Sequence, residues 1–189
     1  MNDSTPHPKA GEQPEPHRCR LTPLQVEYLM KAIDPSRVKL DPKGFKYVEQ
    51  QDVRTWLNRV FGVGGWDVET LELTEVTTLT TAGERPRYTV IYRAQARLTV
   101  KAECGHPIAR LDDGAIGDAS NQPQLPAAHD NAMKSALSGA LKRCAVNLGD
   151  AFGLGLYYDN IAPGQSVVQR MIPYLPARPA PAPEVAAAA

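Results

Sequence analysis

The chain has 189 residues, 42% of them hydrophobic, and 21 Lys or Arg balance 21 Asp or Glu. That length and composition fit one globular domain, and three cysteines, Cys19, Cys104 and Cys144, with no CxxC spacing, argue against a disulfide framework. No apolar run approaches the ~20 residues of a membrane span, and the N-terminus lacks the apolar core of a signal peptide, so the expectation is a cytoplasmic protein with no membrane partner.

Residues 1–20 carry Pro6, Pro8, Pro14 and Pro16 among polar residues and read as a disordered tail. Residues 161–189, which end in PYLPARPAPAPEVAAAA, read as a Pro/Ala-rich flexible tail. The folded domain is expected over 21–160.

The first helix has a clear start. Thr22 is placed as N-cap, Pro23 as the first helical residue and Gln25 as the partner that completes a capping box. Leu21 and Val26 are spaced for a hydrophobic staple, and the helix should end before Pro35. In SRVKLDPKGFKY, Arg37, Lys39, Lys43 and Lys46 alternate with Phe45 and Tyr47, a mixture suited to single-stranded nucleic acid; equally, Phe45 and Tyr47 could be core residues that begin a strand. A second helix follows in EQQDVRTWLNRVF, where Val53, Trp56, Leu57, Val60 and Phe61 form one apolar face, and Gly62, Gly64 and Gly65 stop and turn it.

A β region comes next. Trp66 and Val68 alternate with acids, and Leu71 and Leu73 resume on the opposite parity, so a bulge is expected between them. The clearest strand is YTVIYRAQARLTVKA. Tyr88, Val90, Tyr92, Ala94, Ala96, Leu98 and Val100 share one face; Arg87, Arg93, Arg97 and Lys101 lie on the other. Gly105 and His106 suit a hairpin turn into a return strand through Ile108 and Leu111, and DDGAIGDASNQPQLP reads as a loop. The last helix is expected from about Ala127 to Leu148. Met133, Ala136, Leu137, Ala140, Leu141, Cys144 and Leu148 would be buried, with Lys134, Ser138 and Lys142 repeating on another face beside Arg143. The expected class is α+β: an antiparallel three-stranded β-meander with a packed amphipathic helix, a β-β-β-α core preceded by two helical segments.

The zero net charge conceals segregation. From Val60 to Glu84 there is no Lys or Arg but there are Asp67, Glu69, Glu72, Glu75 and Glu84; from Arg85 to Arg110, six cations face only Glu103. Such a pattern permits a basic groove, and it equally permits cross-strand ion pairs. Other chemistries fare worse. GVGGW and GDAFGLG match neither GxxxxGK[ST] nor a strand-borne GxGxxG. Cys104 and His106 are two ligands where a zinc site needs about four. Asp112, Asp113 and Asp118 could serve a metal-dependent nuclease, but Asp-Gly is a common turn former. His7, His17, His106 and His129 have no evident Ser or Cys partner. No catalytic residue, metal site or cofactor is assigned.

GALKRCAVNLG resembles the signature helix of the Rad52/Rad22 family of single-strand annealing recombination proteins, and YVEQQDVRTWLNRVFGVGGWDVE resembles a second motif of that family. The two bracket the three expected strands in the family's order, and the resemblance covers about residues 22–158. It implies ATP-independent binding of single-stranded DNA and annealing of complementary strands in homologous recombination and double-strand break repair, by a homo-oligomeric ring or arc and not an enzyme. Lys142 and Arg143 match the family's groove-lining basic pair. Arg37 matches a family arginine expected at the DNA, and Tyr47 a family tyrosine near the groove. Lys134 and Lys39 join this DNA-binding set by position; Arg93, Arg97 and Lys101 join it by periodicity. The implied partners are single-stranded DNA, further copies of the chain, and a recombinase, exonuclease or single-strand-binding protein. Val146 and Asn147 stand where eukaryotic members carry another basic residue, and SNQPQLP lacks their lysines, so the resemblance does not extend to a second, outer DNA path. With no counterpart of the long C-terminal recruitment region, a bacterial or phage protein is expected, in the cytoplasm, nucleoid-associated or in the host. A DNA-end protector that does not anneal is the alternative, and a metal-dependent nuclease a more distant one.

Overall fold

The computed structural model describes residues 20–158. The tails expected at 1–20 and 161–189 lie outside the described residues, Arg20 apart. Three helices and a three-stranded antiparallel sheet carry the architecture: α1 (Pro23–Met30), β1 (Val38–Leu40), β2 (Lys46–Val48), α2 (Gln50–Phe61), β3 (Trp66–Thr80), β4 (Tyr88–Lys101), β5 (Pro107–Gln122) and α3 (Leu125–Val146), with short 3-10 turns at Pro35–Arg37, Asp150–Phe152 and Leu154–Tyr157. The class is α+β, as expected.

Each element forms for a local reason. The capping box of α1 is complete: Gln25 N donates to Thr22 Oγ1 at 3.2 Å, and Thr22 N donates to Gln25 Oε1 at 2.9 Å. The helix stops at Met30, earlier than Pro35 alone would require. Between α1 and α2 lies a small hairpin, β1–β2, that the periodicity of the sequence does not assign. Its turn is built by Asp41, whose Oδ1 accepts from the amides of Lys43 and Phe45 at 2.8 Å, and by Gly44 at φ 85°, a conformation that favours glycine. Strands of three residues are too short to display alternation, which is why this hairpin escapes a periodicity search.

In the sheet, β3 pairs β4 and β4 pairs β5. The expected bulge is present between Thr70 and Glu72, and a second lies between Glu75 and Thr77. The alternation of β4 is realised: Val90, Ala94, Ala96, Leu98 and Val100 are buried beneath α3. The stretch after Leu111, expected as a loop, is instead the continuation of β5 to Gln122, with Arg97 opposite Asp112 and Tyr92 opposite Gly117. The Asp113-Gly114 pair and the small residues Ala115, Gly117, Ala119 and Ser120 disguised it. Their purpose is close packing: a Cβ on Gly117 would lie 2.5 Å from the Ala132 carbonyl oxygen and 2.7 Å from the Ser135 carbonyl carbon of α3. The same closeness rotates α3 relative to the expectation. Ala128, Ala132, Ala136, Ala140, Leu141, Cys144 and Ala145 form its buried stripe; Met133, Leu137 and Leu148 are only half-buried. Small residues let a helix approach a sheet whose own strand is thinned by glycine, so the alanine row and not the bulkier Met-Leu row faces inward.

Helix α2 seals the end of the core through Val53, Leu57, Val60 and Phe61, and the turn after α3 inserts Phe152, 1% exposed, into the same cluster. GDAFGLG therefore closes the domain as a packed turn. Within the three-stranded sheet β3 is the exception to burial: none of its residues is buried, and Val68, Leu71, Val76 and Leu79 are exposed.

Candidate nucleic-acid interface

A cleft of about 220 Å³ opens between the C-terminal half of α3, the end of β2, the start of α2 and the closing turn. Lys142 and Arg143 form its basic wall, Tyr47 its aromatic wall, and Val48, Val53, Phe152 and Leu156 its apolar lining. Four elements converge here because each is anchored by the core: α3 by its alanine stripe, β2 by buried Val48, α2 by buried Val53, and the closing turn by Phe152. Gly139 on α3 also lines the cleft, and a Cβ there would lie 2.7 Å from the Ala115 Cβ of β5.

Lys142 and Arg143 face this cleft in different electrostatic states. The Lys142 ammonium sits 5.6 Å from the Tyr47 ring centroid, and among the described residues no carboxylate pairs with it. A cation over an aromatic ring keeps its hydrogen-bond donors available at modest energetic gain, about 0.5–1 kcal/mol at an exposed site. Arg143 Nε donates to Asp113 Oδ1 of β5 at 2.9 Å. That bond orients the guanidinium against β5, while the side chain stays 60% exposed. Lys39, exposed, is directly opposite Tyr47 across the β1–β2 hairpin, so the two side chains share one face.

The remaining expected cations are placed elsewhere. Arg37 is committed to α2: its Nη2 donates to Asp52 Oδ2 at 2.7 Å, its Nε reaches both Asp52 oxygens at 3.1 Å, and its guanidinium lies 4.1 Å from the Trp56 ring centroid. Its side chain is 11% exposed. Lys134 pairs with Asp130 one turn before it at 2.6 Å and lies ~12 Å along α3 from Lys142. Arg93, Arg97 and Lys101 occupy the sheet face opposite α3, where they pair with Glu72, Asp112 and Asp67. The hydrogen bond from Arg93 draws the Glu72 carboxyl below its usual range, and that from Arg97 does the same to Asp112. Charge segregation in the chain thus resolves into cross-strand pairs on this face, and the sheet does not bring its cations to the cleft.

The acids weighed as a metal site are likewise engaged. Asp112 and Asp113 project from opposite faces of β5, one to Arg97 and the other to Arg143, and Asp118 accepts from Ser120 Oγ at 3.0 Å. Among the described residues no group of His, Cys, Asp and Glu is arranged to hold a metal ion. Burial raises the Cys144 thiol above its usual range, and its Sγ lies 3.3 Å from the Ala96 carbonyl oxygen, which keeps it a protonated core residue.

The convergence of these residues on one cleft, and the ion pairs that hold Arg37 and Arg143, carry no signal in the sequence. Phe152 stands in the glycine-bearing segment directly after the basic helix, and Asp52 in the first turn of α2, but neither position reveals its neighbours before the chain is folded.

Residues 22–171 match the profile of the Rad52/22 family double-strand break repair protein. Over 135 residues the chain is 29% identical to the DNA repair and recombination protein RAD52 of Saccharomyces cerevisiae, an alignment covering 71% of this chain and 26% of the yeast protein. The chain thus matches about a quarter of the length of that relative. The profile spans both motif helices and every strand between them, and the same two helices build the cleft; the chain belongs to the Rad52/22 family of double-strand break repair proteins.

Proposed function

We propose that the protein binds single-stranded DNA along the cleft and anneals complementary strands, as a homo-oligomeric ring or arc and without nucleotide hydrolysis. The observation that carries this reading is the convergence of Lys142, Arg143 and Tyr47 on one cleft, where Lys142 has no carboxylate partner among the described residues, while Arg93, Arg97 and Lys101 of the sheet pair with Glu72, Asp112 and Asp67. Lys142 and Arg143 contact phosphates, which positions a strand without reading its sequence. Tyr47 offers an aromatic surface to a base. Exposed apolar residues along β3, a long edge strand, supply surface for a neighbouring copy. Repetition around an assembly multiplies weak binding by each subunit.

Replacement of both Lys142 and Arg143 by Ala tests the reading. Fluorescence anisotropy with an oligothymidine probe should show weaker binding and a salt slope shallower by about 0.7 for each phosphate no longer neutralised. Annealing of two complementary labelled strands, followed without nucleotide, should slow in parallel. A folded double variant that binds and anneals like the parent would overturn the assignment. Binding by the parent without acceleration of annealing would favour the end-protecting alternative.

A further inference from the structure

The cleft ends at Tyr47, but the cationic and aromatic surface does not. Lys39 faces Tyr47 across the hairpin, and two residues before Lys39 stands Arg37, stacked on Trp56 of α2. Nearly one helical turn beyond Trp56, Arg59 places its guanidinium 5.4 Å from the same ring centroid, and the Tyr28 ring of α1 lies 6.4 Å from it. Arg59 is exposed, and among the described residues it has no carboxylate partner. Its setting differs from that of Arg37, whose Nε and Nη2 are taken by Asp52.

We infer that Arg59, held on Trp56, is an additional phosphate-binding residue that extends the strand path from the cleft across α2. This rests on the single-strand reading of the cleft and names where the strand goes when it leaves Tyr47. An arginine stacked on an indole is restricted in conformation before any ligand arrives, so less entropy is lost when its outward N–H groups meet an anion. Asp52, the acid on this flank of α2, is already neutralised by Arg37, which leaves Arg59 as local excess positive charge. Asp67 and Glu72 of β3 do not compete for it within the subunit, since they have their own partners on β4. The ligand that suits a line of spaced cations beside half-buried rings is the phosphodiester backbone of one nucleic-acid strand.

Helix geometry supplies an internal control. Arg54 is also exposed and also lies over an indole, 5.8 Å from the Trp66 centroid. Its position on α2 is rotated by roughly 140° from Arg59, on the flank away from Arg37, so it falls off the proposed path.

The test uses the full chain with variants Arg59→Ala, Arg59→Lys, Arg54→Ala and the Lys142→Ala/Arg143→Ala pair. Each is titrated against a series of oligothymidines of increasing length, after circular dichroism has shown the parental melting temperature. Arg59→Ala should bind the shortest retained probe like the parent and lose about threefold to tenfold on longer probes, with a shallower salt slope on those alone. Arg59→Lys should keep the slope and lose less affinity. Arg54→Ala should match the parent at every length. The Lys142/Arg143 pair should weaken binding at all lengths. Equal losses for Arg54→Ala and Arg59→Ala would mark a general charge effect and overturn the inference, as would parental binding by Arg59→Ala at every length. If Arg59→Ala is silent while the Lys142/Arg143 pair fails, the extension falls and the cleft reading stands. If the Lys142/Arg143 pair is silent, the cleft reading itself falls.

Discussion

Arg37 and Arg143 show how one carboxylate changes what an arginine can do. Arg143 donates from Nε to Asp113 while its side chain stays 60% exposed toward the cleft. Arg37 spends both its Nε and its Nη2 on Asp52 and covers its face with Trp56, so its charge ties the segment before β1 to α2. This makes Arg37 a brace for the hairpin that carries Tyr47. Substituting Asp52 by Ala should therefore lower the stability of the fold by about 1–3 kcal/mol, the range for hydrogen bonds to a charged and largely buried group. Urea denaturation measures it, and Arg37→Ala should show a matching loss. Single-strand binding by Asp52→Ala should persist with an undiminished salt slope, because no cation has been removed. Loss of binding by Arg37→Ala without loss of stability would instead identify Arg37 as a phosphate ligand.

Between β5 and α3 the packing is backbone against backbone, and glycine and alanine make that possible. Gly117→Ala should destabilise the protein by about 1–3 kcal/mol, the usual cost of overpacking, because the new methyl group would lie 2.5 Å from the Ala132 oxygen. A thermal melt of the variant reports this directly, and parental stability would show that α3 can lift away without consequence. The same packing explains what was legible in the sequence. β4 declared itself because its inward residues are apolar and its outward ones mostly polar, a pattern that only a half-buried strand requires. The capping box of α1 and the bulge at Leu71 were equally local and equally readable. β5 was not, since its glycines serve α3, an element later in the chain, and local turn chemistry gave the opposite answer. For the same reason Lys142 and Arg143 could be picked out as a pair on an outward face, while the partners that distinguish them, Tyr47 and Asp113, arrive only through tertiary packing.

Over the whole molecule the net charge is zero; the sheet pairs Arg93, Arg97 and Lys101 with Glu72, Asp112 and Asp67, and in the cleft Arg143 pairs with Asp113 while Lys142 has no carboxylate partner among the described residues. The two regions should respond differently to acid. Glu72 is held below its ordinary range chiefly by the hydrogen bond from Arg93, Asp112 by that from Arg97, and Asp34 by the backbone amide of Ser36. Each is a carboxyl group whose folded value is depressed. The stability it contributes is therefore complete above the unfolded values, 3.8 for Asp and 4.5 for Glu, and is lost as pH falls through the folded values. The Cys144 thiol shifts the other way, so its contribution is complete below its ordinary 9.0 and is lost as pH rises above it. Melting temperature should then be level between about pH 5 and 8, decline below about pH 4.5 and decline again above about pH 9. The acid decline should be shallow, because exposed ion pairs contribute little each, and Asp112→Asn should make it shallower still. Single-strand affinity supplied by Lys142 and Arg143 should hold as pH falls until the fold itself is lost. A fall in affinity near pH 6 in a protein still folded by circular dichroism would mean that a titrating group other than these two governs the cleft.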